Sequence, residues 1–78
     1  MKKRYMIIYY YKKEDGKYDE ITEFKNAIRK PRFQEAAIIL DLKRKRLVQN
    51  LLNLDTNYDK LIDYYKKEMG DHLTPHLY

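Results

Sequence analysis

Asp41-Leu42-Lys43 places a carboxylate two residues ahead of a lysine at the end of an apolar run. This spacing resembles the acid-x-Lys half of metal-dependent nuclease sites, in which the acid binds Mg²⁺ and the lysine stabilises the charge developing on phosphate. Such a site needs further carboxylates converging on the metal, and Asp19, Glu20, Glu23 and Glu35 are the ones available. The plainer reading, a strand whose polar positions face water, is preferred because so short a motif carries little specificity. Other catalytic chemistry has less to draw on. There is no serine and no cysteine, and no threonine stands beside a histidine, so the usual hydroxyl and thiol nucleophiles have no base. Glycine occurs only at Gly16 and Gly70, which leaves no phosphate-cradling loop. His72 and His76 have the spacing of two helical metal ligands, but Pro75 lies between them and Gly70 ends the helix before them. They read as solvent-exposed tail residues, and neither a metal nor a cofactor is assigned. The chain therefore reads as a binding protein and not as an enzyme.

Binding chemistry is better supplied. Lys43, Arg44, Lys45 and Arg46 are four consecutive cations between the apolar runs Ile38 to Leu42 and Leu47-Val48, with Arg29, Lys30 and Arg32 as further candidates for the same patch. Such a patch suits phosphate contact or docking on an acidic protein; its bland alternative is a solvated turn. Nine tyrosines form the second resource. Tyr9, Tyr10 and Tyr11 are flanked by Lys2, Lys3, Arg4, Lys12 and Lys13, and aromatics interleaved with cations can stack bases while neutralising phosphates. Tyr9 and Tyr11, on one strand face, are the candidate contacts. Tyrosine serves equally at protein interfaces and in small cores, where the ring is buried and the hydroxyl reaches water.

The whole chain bounds these readings. Its 78 residues make one small domain, near the size at which a single core suffices only narrowly without a metal, disulfide or partner. The absence of cysteine fits a reducing cytoplasm. Lys2-Lys3-Arg4 precedes an apolar stretch, but Met6 to Tyr11 is tyrosine-rich, too short for a secretory core and without a small-residue cleavage site. No apolar run reaches membrane-spanning length. A cytoplasmic protein with no membrane partner is expected. The net charge of +5 is unevenly spread: residues 1–54 hold 14 Lys and Arg against 7 Asp and Glu, and residues 55–78 hold 3 against 5.

These side chains need a scaffold. Arg4 to Lys12 is rich in β-branched and aromatic residues, with Tyr5, Ile7, Tyr9 and Tyr11 on one face and Met6, Ile8 and Tyr10 on the other, the pattern of a strand central in its sheet. Glu14-Asp15-Gly16-Lys17 carries the Asp-Gly signal of a tight hairpin turn, which makes Tyr18 to Lys25 the partner strand. Residues 26–35, with Pro31, read as a loop. Residues 36–54 fit two descriptions. Phe33, Ala37, Leu40, Leu47, Leu51 and Leu54 nearly trace a helical stripe, while the unbroken block Ala36 to Leu40 suits a hairpin of Ala36 to Lys43 and Arg46 to Leu51. Against the hairpin, neither Arg44 nor Lys45 favours positive φ, and Lys43 would face Arg46 across the ladder. Asp55 to Met69 reads as a helix packed on the sheet through Tyr58, Leu61, Ile62, Tyr65 and Met69, with Asp55 or Thr56 as N-cap and Gly70 as its stop. Residues 71–78 read as a C-terminal tail, pinned by Leu73, Leu77 or Tyr78.

Phe33-Gln34, Ala37, Ile39-Leu40-Asp41-Leu42-Lys43, Leu47-Val48, Tyr58, Leu61-Ile62 and Tyr64-Tyr65 form a pattern that resembles small uncharacterised accessory proteins of tailed phages, cyanophages among them. The resemblance covers residues 33–66 and departs at Arg44-Lys45, where that family more often carries Asn or a smaller residue. It implies a hairpin in residues 36–51 and no known biochemical activity. The expected fold is therefore α+β: two β-hairpins in a mainly antiparallel sheet with a C-terminal helix on one face, the rival being one hairpin followed by two helices. The expected function is binding of a host macromolecule, a protein first and nucleic acid as the alternative, with homodimerisation a third, structural, possibility.

Overall fold

The computed structural model describes residues 2–29 and 35–78, so the expectations for Lys30 and Arg32 lie outside the described residues. Strand β1 (Tyr5–Lys12) pairs antiparallel with β2 (Tyr18–Lys25), and Lys12 faces Tyr18 next to the turn. The turn is wider than the Asp-Gly dipeptide alone suggests. Lys13 N–H donates to the Lys17 carbonyl (2.7 Å), Gly16 N–H to the Lys13 carbonyl (3.0 Å), and Gly16 takes the positive φ of +86° that glycine tolerates best.

The second hairpin is present as β3 (Ile38–Asp41) and β4 (Arg46–Asn50), and the helical rival for this segment falls. Leu51 and Leu54, which a helical stripe would bury, are exposed. The sheet order is β2-β1-β3-β4, with β1 central as its two apolar faces require. Tyr5 faces Asp41 and Ile8 faces Ile38, so β1 beyond Ile8 runs on past β3, paired to β2 alone. A bulge between Ile39 and Leu40 sets Gln49 opposite Ile39 and Leu47 opposite Leu40.

Helix α1 (Tyr58–Leu73) covers one face. Its N-cap is Asn57 in place of the expected Asp55 or Thr56: Asn57 is the residue immediately before the first apolar position, and its Oδ1 accepts the Lys60 N–H at 2.9 Å. Gly70 kinks the helix (φ +20°, ψ −91°) where a stop was expected. The chain continues to Leu73, fully buried, and into a 3-10 turn at Thr74–His76. The expected tail is thus structured.

Alternation along the strands builds two cores. Met6, Ile8, Ile38, Leu40 and Leu42 pack with Leu61, Ile62, Tyr65 and Leu73 on the helix side, with Phe24 and Leu47 at the margin. On the opposite face Ile7 and Ile39 pack with Ala36, flanked by Tyr5, Tyr9 and Ile28. Ile28 follows β2 and Ala36 precedes β3 in the chain.

Candidate functional site

The cationic segment is a four-residue loop, 42–45, and not a two-residue turn. β3 ends at Asp41, so Asp41 and not Lys43 stands opposite Arg46, which removes the like-charge pair that counted against the hairpin. The loop is held from beneath. Leu42 is fully buried in the helix-side core, and its N–H donates to the Arg4 carbonyl at 2.7 Å. Asp41, 1% exposed, accepts Arg4 Nε on Oδ1 (3.2 Å), Arg4 Nη2 on Oδ2 (2.9 Å) and the Arg44 N–H on Oδ1 (3.0 Å). Burial opposes the charged carboxyl, but the Arg4 and backbone hydrogen bonds and the Arg4 charge outweigh it and hold Asp41 below its ordinary range. Lys45 takes φ +55°, a left-handed conformation that the anchored residues on either side impose.

Above these anchors Lys43, Arg44, Lys45 and Arg46 are all exposed, and no described carboxylate forms an ion pair with any of them. Arg29 is exposed too, four residues beyond Lys25, which pairs with Tyr5 at this same end of the sheet. Lys2 joins them, its ammonium 5.0 Å from the centroid of the Tyr78 ring. The result is a cationic end fixed by a buried carboxylate, paired with a partly exposed arginine, and by a buried leucine.

The two candidate tyrosines, Tyr9 and Tyr11, lie elsewhere. Tyr9 and Tyr11 lie along β1 toward the β1–β2 turn, about 14 Å and about 20 Å from the Asp41 level at the usual rise per residue. Tyr9 is half-buried against the core opposite the helix, and its buried hydroxyl has no hydrogen-bond partner among the described residues. Tyr11 is exposed and donates its hydroxyl to Asp19 Oδ2 at 2.8 Å, which lowers the Asp19 pKa and raises that of Tyr11. Tyr9 and Tyr11 therefore do not share a surface with Lys43 to Arg46; the rings at the cationic end are Tyr78, under Lys2, and Tyr5, under Arg4.

Asp41 is also separated from two of its expected fellow ligands, Asp19 and Glu20. Asp19 and Glu20 pair with Tyr11 and Tyr10 at the far end of β1. Among the described residues no three His, Asp or Glu side chains gather closely enough to hold a metal ion.

Two features escaped the sequence reading. The first is exposed apolar surface: Tyr10, Leu54 and Tyr64 border a cleft, and Leu51 and Leu52, just before Leu54 in the chain, are exposed as well. Its only sequence signal was the cluster Leu51-Leu52-Leu54, which was assigned to a core stripe or a strand end. The second is His76, half-buried where a tail histidine was expected in solvent: its Nδ1 accepts the Lys3 N–H at 3.1 Å and its ring stacks on Phe24 at 4.2 Å. No local pattern announces a contact between residues so distant in the chain.

Comparison with known proteins adds no relative: the chain matches no family model, no curated protein and no solved structure. No helix among the described residues is long and apolar enough to cross a membrane.

Proposed function

We propose that this protein is a small non-enzymatic binding module that docks its cationic end on an acidic surface of a partner protein. The carrying observation is the loop itself, with four adjacent exposed cations, none in an ion pair with a described carboxylate, above a buried scaffold of Leu42 and Asp41. Preorganised charge loses little conformational entropy on binding and steers encounter with an opposite potential. A protein partner is favoured over nucleic acid because the exposed apolar side chains of Leu51, Leu52, Leu54 and Tyr64 offer a second surface with the chemistry of a protein contact. Read with the phage resemblance, the module is a phage-type accessory protein and the partner a host protein in the host cytoplasm.

Nucleic-acid binding is the second reading, supported by Lys2, which lies over the Tyr78 ring at the same end, and by the exposed Arg29 as a further cation. A homodimer is the third, supported by the eight-residue β2, whose outer edge pairs with no described strand.

Affinity capture from host lysate, with and without nuclease, tests the choice against a variant carrying Lys43→Gln, Arg44→Gln, Lys45→Gln and Arg46→Gln. Proteins retained after nuclease by the wild type and lost by the variant are the expected result. Capture abolished by nuclease transfers the site to nucleic acid, where affinity must also fall steeply with salt. Equal capture by wild type and variant removes the loop from function altogether.

A further inference from the structure

We propose that His76 is a pH-sensitive latch, holding the C-terminal turn on the amino-terminal segment only while its imidazole is neutral. The geometry dictates the protonation state. The group facing Nδ1 is the Lys3 main-chain N–H, which can only donate, so Nδ1 must present a lone pair and the ring proton must reside on Nε2. Protonation turns Nδ1 into a second donor aimed at a donor. The ring has no easy escape, because it lies nearly parallel to Phe24 (17° between planes) and turning away forfeits that stack.

The surroundings oppose the added proton. The charged neighbours are the positive charge of the amino-terminal end, Lys3 included, while from β2 the contact is the uncharged Phe24 ring. Arg4, the next cation, is committed to Asp41, and no described carboxylate hydrogen-bonds to the imidazole. Burial first, and then this positive charge, push the His76 pKa below its ordinary value, so the latch is closed at neutral pH.

What the latch holds is specific. The Gly70 kink, on whose carbonyl the Thr74 N–H and hydroxyl both close, turns the chain so that Leu73 enters the core and His76 reaches Phe24. Release of His76 would free residues 74–78 from Phe24 and Lys3 and add one positive charge beside the cationic end. This inference concerns the fold alone and stands whatever the loop binds.

Nuclear magnetic resonance on the full ¹⁵N-labelled chain tests it. At about pH 8 the imidazole ¹⁵N shifts of wild-type His76 should show Nδ1 unprotonated, and the Lys3 amide should exchange at least about tenfold more slowly, relative to its intrinsic rate, than at about pH 5. The His76→Asn variant, whose carboxamide oxygen can stand where Nδ1 stands and does not titrate, should abolish that pH dependence, and His72→Asn should retain it. A protonated Nδ1 at about pH 8, a Lys3 amide equally protected at both pH values, or an unchanged pH profile in His76→Asn would each overturn the latch. The tautomer measurement needs no variant, so poor folding of His76→Asn leaves the test intact.

Discussion

Arg4 grips Asp41 with two prongs, Nη2 to Oδ2 at 2.9 Å and Nε to Oδ1 at 3.2 Å, and so fastens the residue that begins β1's approach to the residue that ends β3. The same carboxylate orders the cationic loop by accepting the Arg44 N–H. The pair is asymmetric: the Asp41 side chain is 2% exposed and the Arg4 side chain 30%.

Asp41→Asn keeps the shape but removes the charge that Arg4 and the loop backbone are arranged around. Stability should fall by about 1–3 kcal/mol, a loss readable in urea unfolding. The loop amide of Arg44 should lose hydrogen-exchange protection in the same variant. Unchanged stability would mean that the ion pair merely breaks even against its desolvation.

Acid should destabilise the fold in two stages, both of the same sign. His76 has a folded pKa below its unfolded value of about 6.5, so its contribution is complete above that pH and is lost as pH falls through the folded value. Asp41, depressed in the same sense, contributes fully above about pH 4–5 and is lost as pH falls through its folded value. Urea midpoints measured across this range should therefore decline as pH falls, and His76→Asn should remove the earlier decline only.

Lys45 holds φ +55° at a cost that a side chain suited to the left-handed region would relieve. Lys45→Asn should raise stability by about 0.5–1 kcal/mol, or a few degrees in melting temperature for a chain of this size. A fall in stability would show that the lysine makes a compensating contact.

Gly70→Ala tests the kink. The added Cβ would meet nothing within 4 Å, so no clash confuses the result. The cost is conformational, about 1–2 kcal/mol at φ +20° and ψ −91°. A straightened helix, which alanine favours, would withdraw Leu73 from the core, so Leu73 methyl resonances should shift in the variant.

Much of the fold was readable locally. Residues that speak through neighbours, the two-sided apolar run of β1, Asp15-Gly16 and the helical face from Tyr58 to Met69, placed their elements within a few positions. The hairpin of β3 and β4 was harder because its turn violates local preference at Lys45. The compensation comes from Leu42 beneath and Arg4 across the sheet, neither visible in a window around the turn. Helix ends were misplaced because Asp55, Thr56 and Asn57 are all capable caps and because glycine can bend a helix as well as end it. The candidate site was legible as composition but not as a surface. Whether Tyr11 and Lys43 share a patch depends on the β1–β3 register, which sets Asp41 against Tyr5, and that pairing is a property of the assembled sheet.

The strand order also has a kinetic meaning. β1 with β2 and β3 with β4 are each closed by a short loop, so both hairpins can form on the microsecond scale from local contacts. Among the strand pairings, only the seam between β1 and β3 joins distant parts of the chain, and it carries the larger loop-closure entropy. Folding is therefore gated by the docking of two preformed ribbons, and the Arg4 and Asp41 fork stands at the join where that docking is completed.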